Sequence, residues 1–337
     1  MLRAMAYTQG VNTPSARFRI RQYFPYLAEQ GVALSESWAR FGSYPPGPGW
    51  RRLPWLTATT LERSLAAVKG NAFDAVLFQR EMVSTLYTAE RLCRTPAVLD
   101  VDDAIWLTQR GGGIDQLARQ CSLILCGNDY LAEHFSALAP VEILPTGVDT
   151  SHWQPGVRAQ TPVIVWSGSA SGLPYVYELE PALREVMQVR PDLRLRICSN
   201  AMPQFKTLSP ERVDFVPWSP EAELGVVQSA WLGLMPMPDT PWTRGKCSFK
   251  MLTYMACGVP CVAAPWGMNA QVIAGGGALG AITLQDWREH MLALLDDPDA
   301  AAALGRQGRI QVENHYATAQ LAGVLAQALK RAGGRGG

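Results

Sequence analysis

The run Trp242-Thr-Arg-Gly-Lys-Cys-Ser-Phe-Lys-Met-Leu-Thr-Tyr-Met-Ala-Cys-Gly-Val-Pro-Cys-Val-Ala-Ala-Pro265 changes character three times. A polar, glycine-containing loop opens a helix near Ser248, and residues 248–256 carry that helix. Gly258 is suited to end it, because glycine takes the left-handed conformation of a C-terminal cap without steric cost. Residues 260–264 are short and apolar and stop at Pro265, as a buried strand would. Arg244, Lys246 and Lys250 gather where the helix begins. That end also exposes unpaired N–H groups and the positive pole of the helix dipole. From residue types alone it is either a diphosphate-binding cap or a solvated basic helix start.

The same strand–helix rhythm extends in both directions. In the first half, strands are expected at 1–7, 31–35, 75–79, 97–100, 123–126 and 141–144, and helices at 17–29, 60–69 and 128–138. Ser15 is the expected N-cap of the first helix, and Pro25 is expected to kink it. Residues 41–52, rich in glycine, proline and aromatic side chains, read as a long loop. An aperiodic stretch at 149–161 marks a boundary, after which strands are expected at 163–166, 193–198, 213–216, 231–236 and 260–264. Helices are expected at 175–189, 221–230, 248–256 and 317–331. The reading is α/β: a Rossmann-like domain over 1–156, a second over 157–316, and a C-terminal helix with a fraying tail over 317–337, the helix packing back toward the first domain. In such sheets ligands bind beyond the carboxyl ends of the strands. Two facing sheets would grip one ligand in the cleft between them.

Bulk properties narrow the function. The chain has 337 residues, 48% hydrophobic and 18% charged, which is enough for two ordinary cores and argues against disorder. A net charge of +1 argues against broad nucleic-acid binding. No apolar run approaches the length of a membrane span, and the first residues read as a strand, not a signal peptide; a cytoplasmic protein is expected, with room for peripheral contact with the inner face of the membrane. Seven cysteines without a Cys-x-x-Cys pair read as reduced, buried thiols. Four scattered histidines offer no zinc site.

Residues 253–263, Thr-Tyr-Met-Ala-Cys-Gly-Val-Pro-Cys-Val-Ala, resemble the Glu-Ala-Met-Ala-x-Gly-x-Pro-Val-Val-Ala signature of the group 1 (family 4-like) retaining glycosyltransferases, which have the GT-B fold. Other segments are similar to that family: Leu144-Pro-Thr-Gly-Val-Asp149 at the domain junction, Trp166-Ser-Gly-Ser169 in place of the glycine-rich first donor loop, Val213-Asp-Phe-Val-Pro-Trp218 where the base docks, and Trp266-Gly-Met-Asn269 as in bacterial members. The resemblance implies transfer of a sugar from a nucleoside-diphosphate sugar to an acceptor hydroxyl, with retention, in cell-surface polysaccharide or glycoconjugate synthesis. The acceptor is a carbohydrate, a lipid-linked molecule or a small molecule, and no metal or other cofactor is expected.

The chain departs from the pattern in a way that places it in a branch lacking the usual glutamate pair. The ribose-binding glutamate falls on Thr253, and its partner near the transferred sugar falls on Gly245. The usual Arg and Lys after the first donor strand are also missing from residues 167–172. Arg244, Lys246 and Lys250 are the candidates to neutralise the diphosphate instead. Donor-binding candidates are Ser167, Gly168, Ser169, Asn200, Trp218, Arg244, Lys246, Cys247, Ser248, Phe249, Lys250 and Thr253. Ser15 and Arg17, in the loop and helix after the first strand, are candidates for acceptor or donor phosphate, against solvated arginines at 17 and 19. Asp102 and Asp103, in Asp100-Val-Asp-Asp103, are candidates to orient hydroxyls or act as base, with Lys250 as the third catalytic candidate; helix capping is the competing role for the carboxylates. Asn128 reads as an N-cap and His134 as structural. A GT-B-like epimerase, a Rossmann oxidoreductase (for which Gly168 and Gly172 are a weak loop) and a non-catalytic sugar-nucleotide-binding protein remain the alternatives.

Overall fold

The computed structural model describes residues 1–10, 13–42, 44–83, 86–108 and 112–334. The chain forms two compact units. One comprises Met1–Gly147, Gly245–Cys247 and Thr318–Gly337; the other comprises Val148–Arg244 and Ser248–Ala317.

The first unit is built on six parallel strands: β1 (Leu2–Thr8), β2 (Val32–Trp38), β3 (Ala75–Gln79), β4 (Ala97–Val101), β5 (Leu123–Cys126) and β6 (Val141–Ile143). Their order is β2-β1-β3-β4-β5-β6. β3 and β4 are buried at every position, the pattern of strands covered by helices on both faces, which is why they read as unbroken apolar runs. The order reverses between β1 and β3, so the loops leaving those strands diverge and open a crevice at their carboxyl ends.

Its helices are α1 (Phe24–Glu29), α2 (Gly49–Gly70), α3 (Gly112–Ala118) and α4 (Asp129–Phe135). Two expectations are corrected here. The helix expected over 17–29 is three short pieces: a π-turn at Ala16–Ile20, a 3-10 turn at Arg21–Tyr23, then α1 with Pro25 in its first turn. Ser15 already has helical backbone angles and its side chain makes no capping bond, so it is not the N-cap. The loop expected over 41–52 ends early, because Gly49 begins a 22-residue helix that continues through Pro54.

The second unit repeats the plan with β7 (Val163–Ser167), β8 (Arg194–Ser199), β9 (Val213–Pro217), β10 (Leu232–Met235), β11 (Cys261–Ala263) and β12 (Ala278–Gly280), ordered β12-β11-β10-β7-β8-β9. The reversal lies between β7 and β10. Its helices are α5 (Leu173–Tyr177), α6 (Glu180–Val189), α7 (Pro220–Gln228), α8 (Pro241–Arg244), α9 (Phe249–Ala256), α10 (Met268–Ala274), α11 (Leu284–Asp296) and α12 (Pro298–His315). The single helix expected over 175–189 is divided at Glu178–Leu179, and β12, α11 and α12 add to the elements foreseen. After α9, Gly258 takes φ 67°. Its N–H donates to Met255 and that of Val259 to Tyr254, closing the helix as a left-handed glycine cap does.

The last helix, α13 (Thr318–Ala332), belongs to the first unit. Leu321, Leu325 and Leu329 join Leu2, Ala4, Ile20, Leu77 and Leu144 in one core. All seven cysteines are free, and all but Cys93 are buried. Among the described residues no helix is long and apolar enough to cross a membrane.

Candidate functional site

In the second unit the candidate residues collect at the carboxyl edge beside the reversal between β7 and β10. β7 ends at Ser167 and turns through Gly168, whose N–H donates to Cys198 O at 2.9 Å. A side chain at Gly168 would meet both the Lys250 stem and the Trp166 ring within 3 Å, so the glycine lets Lys250 lie across the end of β7. The Lys250 ammonium stands 5.8 Å from the centre of the Trp166 ring, a cation–π arrangement. Asn200, just past β8, accepts a hydrogen bond from Ala170 N–H at 2.7 Å and so holds the loop after Gly168 in place. Ser169 is exposed on that loop, its hydroxyl 2.9 Å from that of Ser171. Trp218, just past β9, donates its N–H to Ser199 O at 2.9 Å.

The start of α9 is tightly organised. Ser248 adopts a left-handed conformation with φ 53°, rare outside glycine, asparagine and aspartate. Its buried hydroxyl does not cap the helix; it donates to Asn269 Oδ1 at 2.6 Å, and the Asn269 amide in turn donates to Ala264 O. The N-terminal N–H groups of α9 therefore receive no cap from Ser248. Phe249 is half-buried. Thr253 is buried and its hydroxyl donates to Lys250 O at 2.8 Å, so it serves its own helix. Arg244 forms a two-point pair with Asp239 at 2.6 and 2.8 Å.

Two residues that sequence reasoning missed complete this edge. Tyr254 stands where the family signature has alanine; it is fully buried, and its hydroxyl accepts from Ser167 N–H at 3.0 Å, tying α9 to the end of β7. Burial raises its phenol well above the usual value. Glu223, in the first turn of α7, accepts the Ser167 hydroxyl at 2.6 Å, which puts a half-buried carboxylate at this edge. No local signal marks either, because each depends on a partner distant in sequence.

The first unit presents its own carboxyl edge. Asp102 and Asp103 follow β4, and Gly245–Cys247 packs beside them. Lys246 Nζ lies 2.7 Å from Asp103 Oδ1, Lys246 O accepts from the Asn128 amide at 3.0 Å, and Cys247 Sγ contacts Asp102 O at 3.2 Å. Desolvation is the largest influence on Asp103 and raises its carboxyl, with Lys246 opposing and Asp102 reinforcing. A side chain at Gly245 would stand 2.6 Å from Ala104 Cβ, so the position aligned with the family glutamate near the transferred sugar has no room for one. Asn128 caps α4, accepting from Leu131 N–H at 2.9 Å. His134 stacks on Trp106 with ring centres 3.9 Å apart and meets Asp115 at 2.9 Å, a structural placement.

The solvated arginine expected at 19 is corrected by its burial. Arg19 is 1% exposed and pairs with Asp100, itself 2% exposed, at 2.5 Å, while also donating to Leu144 O at 2.7 Å. Helix capping is not what the carboxylates do: the short turn after them has no side-chain cap, and Asp100 and Asp103 are each paired with a cation. Arg17 lies 4.9 Å over the Phe18 ring, whereas Arg21 is paired with Glu36 at 2.7 Å. Ser15 and Arg17 do sit in the segment after β1, beside the reversal in the first sheet. Among the described residues no three His, Cys, Asp or Glu side chains gather as a metal-ligand set.

Residues 161–297 match the family described as glycosyl transferases group 1. That span contains β7 to α11 and so carries the whole carboxyl edge of the second sheet. No curated protein matches the chain by sequence. Solved structures match it almost end to end. A sucrose-phosphate synthase from Thermosynechococcus elongatus has 13% identity and a TM-score of 0.74, covering 98% of both chains. HepE of Anabaena, in complex with UDP and glucose, has 14% identity and a TM-score of 0.72, covering 98% of this chain and 100% of the other. WaaG, a glycosyltransferase involved in lipopolysaccharide biosynthesis, has 16% identity and a TM-score of 0.66, covering 97% and 99%. The fold is GT-B, with two Rossmann-like domains.

Proposed function

We propose that the chain is a glycosyltransferase that moves a sugar from a nucleoside-diphosphate sugar to an acceptor hydroxyl. The observation that carries the proposal is the join of β7 to α9: a glycine turn, a helix start whose serine is turned away from capping, and Lys250 lying across both, within the region that matches the group 1 family. A helix N-terminus that Ser248 does not cap, with a lysine at the same point, suits a diphosphate. The complex of HepE with UDP and glucose supports UDP as the first nucleotide to try.

In the transfer, negative charge grows on the departing diphosphate as the sugar takes on oxocarbenium character. Lys250 and the α9 N-terminus stabilise that charge, with Ser167, Gly168 and Ser169 beside them. Asn200 and Trp218 flank the nucleotide. Thr253 cannot hold two ribose hydroxyls as a carboxylate would, and Glu223 is the carboxylate at this edge that can. In the first unit Asp102 and Asp103 orient the acceptor hydroxyl or take its proton, Lys246 holds Asp103, and Ser15 and Arg17 contact the acceptor. No metal is required in this scheme. Retention at the anomeric carbon and a role in cell-surface glycoconjugate synthesis, in the cytoplasm, complete the reading.

The closed position at Gly245 and the internally bonded Thr253 favour one second reading, a sugar-nucleotide-binding protein without transfer. Incubation with a panel of sugar nucleotides separates the two. Release of nucleoside diphosphate that depends on Lys250 and Asp103 is expected for transfer. Tight binding with no turnover toward any carbohydrate or lipid-linked acceptor would establish the second reading instead.

A further inference from the structure

We propose that the outward face of α2 is a docking surface for an anionic lipid bilayer. The helix is turned opposite to an ordinary surface helix, which hides its apolar stripe. Here Trp50, Leu53, Leu61, Leu65 and Val68 are 54% to 74% exposed. Their spacing, with Pro54 and Thr57, sets them along one side of the helix. The inward side carries Thr59, Arg63 and Ala67. Arg63 is wholly buried and donates to Ser37 O at 3.2 Å and Ser37 Oγ at 2.7 Å, so the polar face is built into the unit and cannot simply roll outward.

The helix is about 33 Å long, from 22 residues at roughly 1.5 Å each, and the stripe follows most of its length. It is too polar at its flanks to cross a bilayer but has the composition of a helix lying in the interface. Its charge complements an anionic surface. Arg51 and Lys69 are exposed beside the stripe, while the acidic group of the helix, Glu62, is half-buried and accepts from Arg40 N–H. Trp38, Phe41 and Trp50 are exposed around the segment that leads into the helix, where aromatic rings favour the boundary between water and acyl chains. A docked helix would hold the unit against the surface from which lipid-linked acceptors protrude. The surface itself does not depend on the transfer reading, because binding is measured with no sugar nucleotide present.

Co-sedimentation of the full chain with phosphatidylglycerol–phosphatidylcholine vesicles tests it. Binding is expected to mixed vesicles, to be weak on pure phosphatidylcholine, and to fall with added salt. Leu61→Glu with Leu65→Glu should abolish it, and Arg51→Glu with Lys69→Glu should weaken it by about tenfold or more on anionic vesicles. Both pairs are solvent-exposed, and unchanged circular dichroism and thermal melting would show the fold intact. Absence of binding to anionic vesicles would overturn the proposal, as would binding that neither pair of substitutions alters. A lipid-free dimer that Leu61→Glu with Leu65→Glu dissolves would assign the stripe to a second copy and overturn it equally.

Discussion

Lys250 and Arg19 are both cations near a strand end, yet they answer to different physics. Lys250 is half-buried with its ammonium over a tryptophan face, so its removal should spare the fold and weaken nucleotide binding. Lys250→Ala is expected to raise the dissociation constant for UDP by about 10- to 100-fold, the worth of one charge-assisted bond, with an unchanged melting temperature; titration calorimetry and thermal denaturation measure the two. Arg19 is sealed against Asp100. Arg19→Ala would strand a buried carboxylate and should cost about 3–5 kcal/mol of stability in chemical denaturation. The start of α9 and its glycine stop were legible because both are local signals, whereas the pairing of Lys246 with Asp103 and of Arg244 with Asp239 was not. Nor was the burial of Arg19, because its partner lies 81 positions away and nothing near residue 19 announces it. The same holds for Glu223 and Tyr254, whose roles appear only once α7, α9 and β7 are side by side.

Elements were read best where one period dominates. Buried parallel strands such as β3, β4 and β7 are short apolar runs and could be placed to within a residue or two. α2 was misread at its start because Pro-Pro-Gly-Pro-Gly and Pro54 look like breakers, although the helix begins directly after Pro48 and runs on through Pro54. β12 has three residues preceded by three glycines, too few to show alternation. Packing between elements yields its own predictions. α9 crosses β10 so closely that a side chain at Gly233 would lie 2.4 Å from the Tyr254 ring. Gly233→Ala should therefore lower stability by about 1–3 kcal/mol in denaturant titration. At the sheet edge, hydrogen bonding from Arg194, helped by Arg196, holds the Asp214 carboxyl below its ordinary range. A depressed folded value contributes stability above the unfolded pKa of about 3.9, and that contribution is lost as pH falls through the folded value. Asp214→Asn should flatten the acid limb of the stability profile between about pH 2 and 5 and leave the profile above it parallel to wild type.

At the scale of the whole molecule, the two Rossmann-like domains were visible in the repeated rhythm, but the threading was only partly so. The sequence pointed to a terminal helix returning to the first domain; it gave no sign that Gly245–Cys247 would belong there too. Removing residues 318–337 takes Leu321, Leu325 and Leu329 from the core shared with β1, β3 and α1. Hydrogen exchange across β1–β6 should rise by orders of magnitude in that truncation, and a first sheet as protected as before would show that α13 is dispensable.

That threading has a consequence during synthesis. The six strands of the first sheet leave the ribosome well before the helix that covers them, with about 170 residues made in between. At roughly 5–20 residues per second the delay is on the order of 10–35 s, far longer than hydrophobic collapse. A nascent chain must therefore carry an uncovered sheet face while the second domain is still being translated, and that interval is when chaperone occupancy would matter most for this fold.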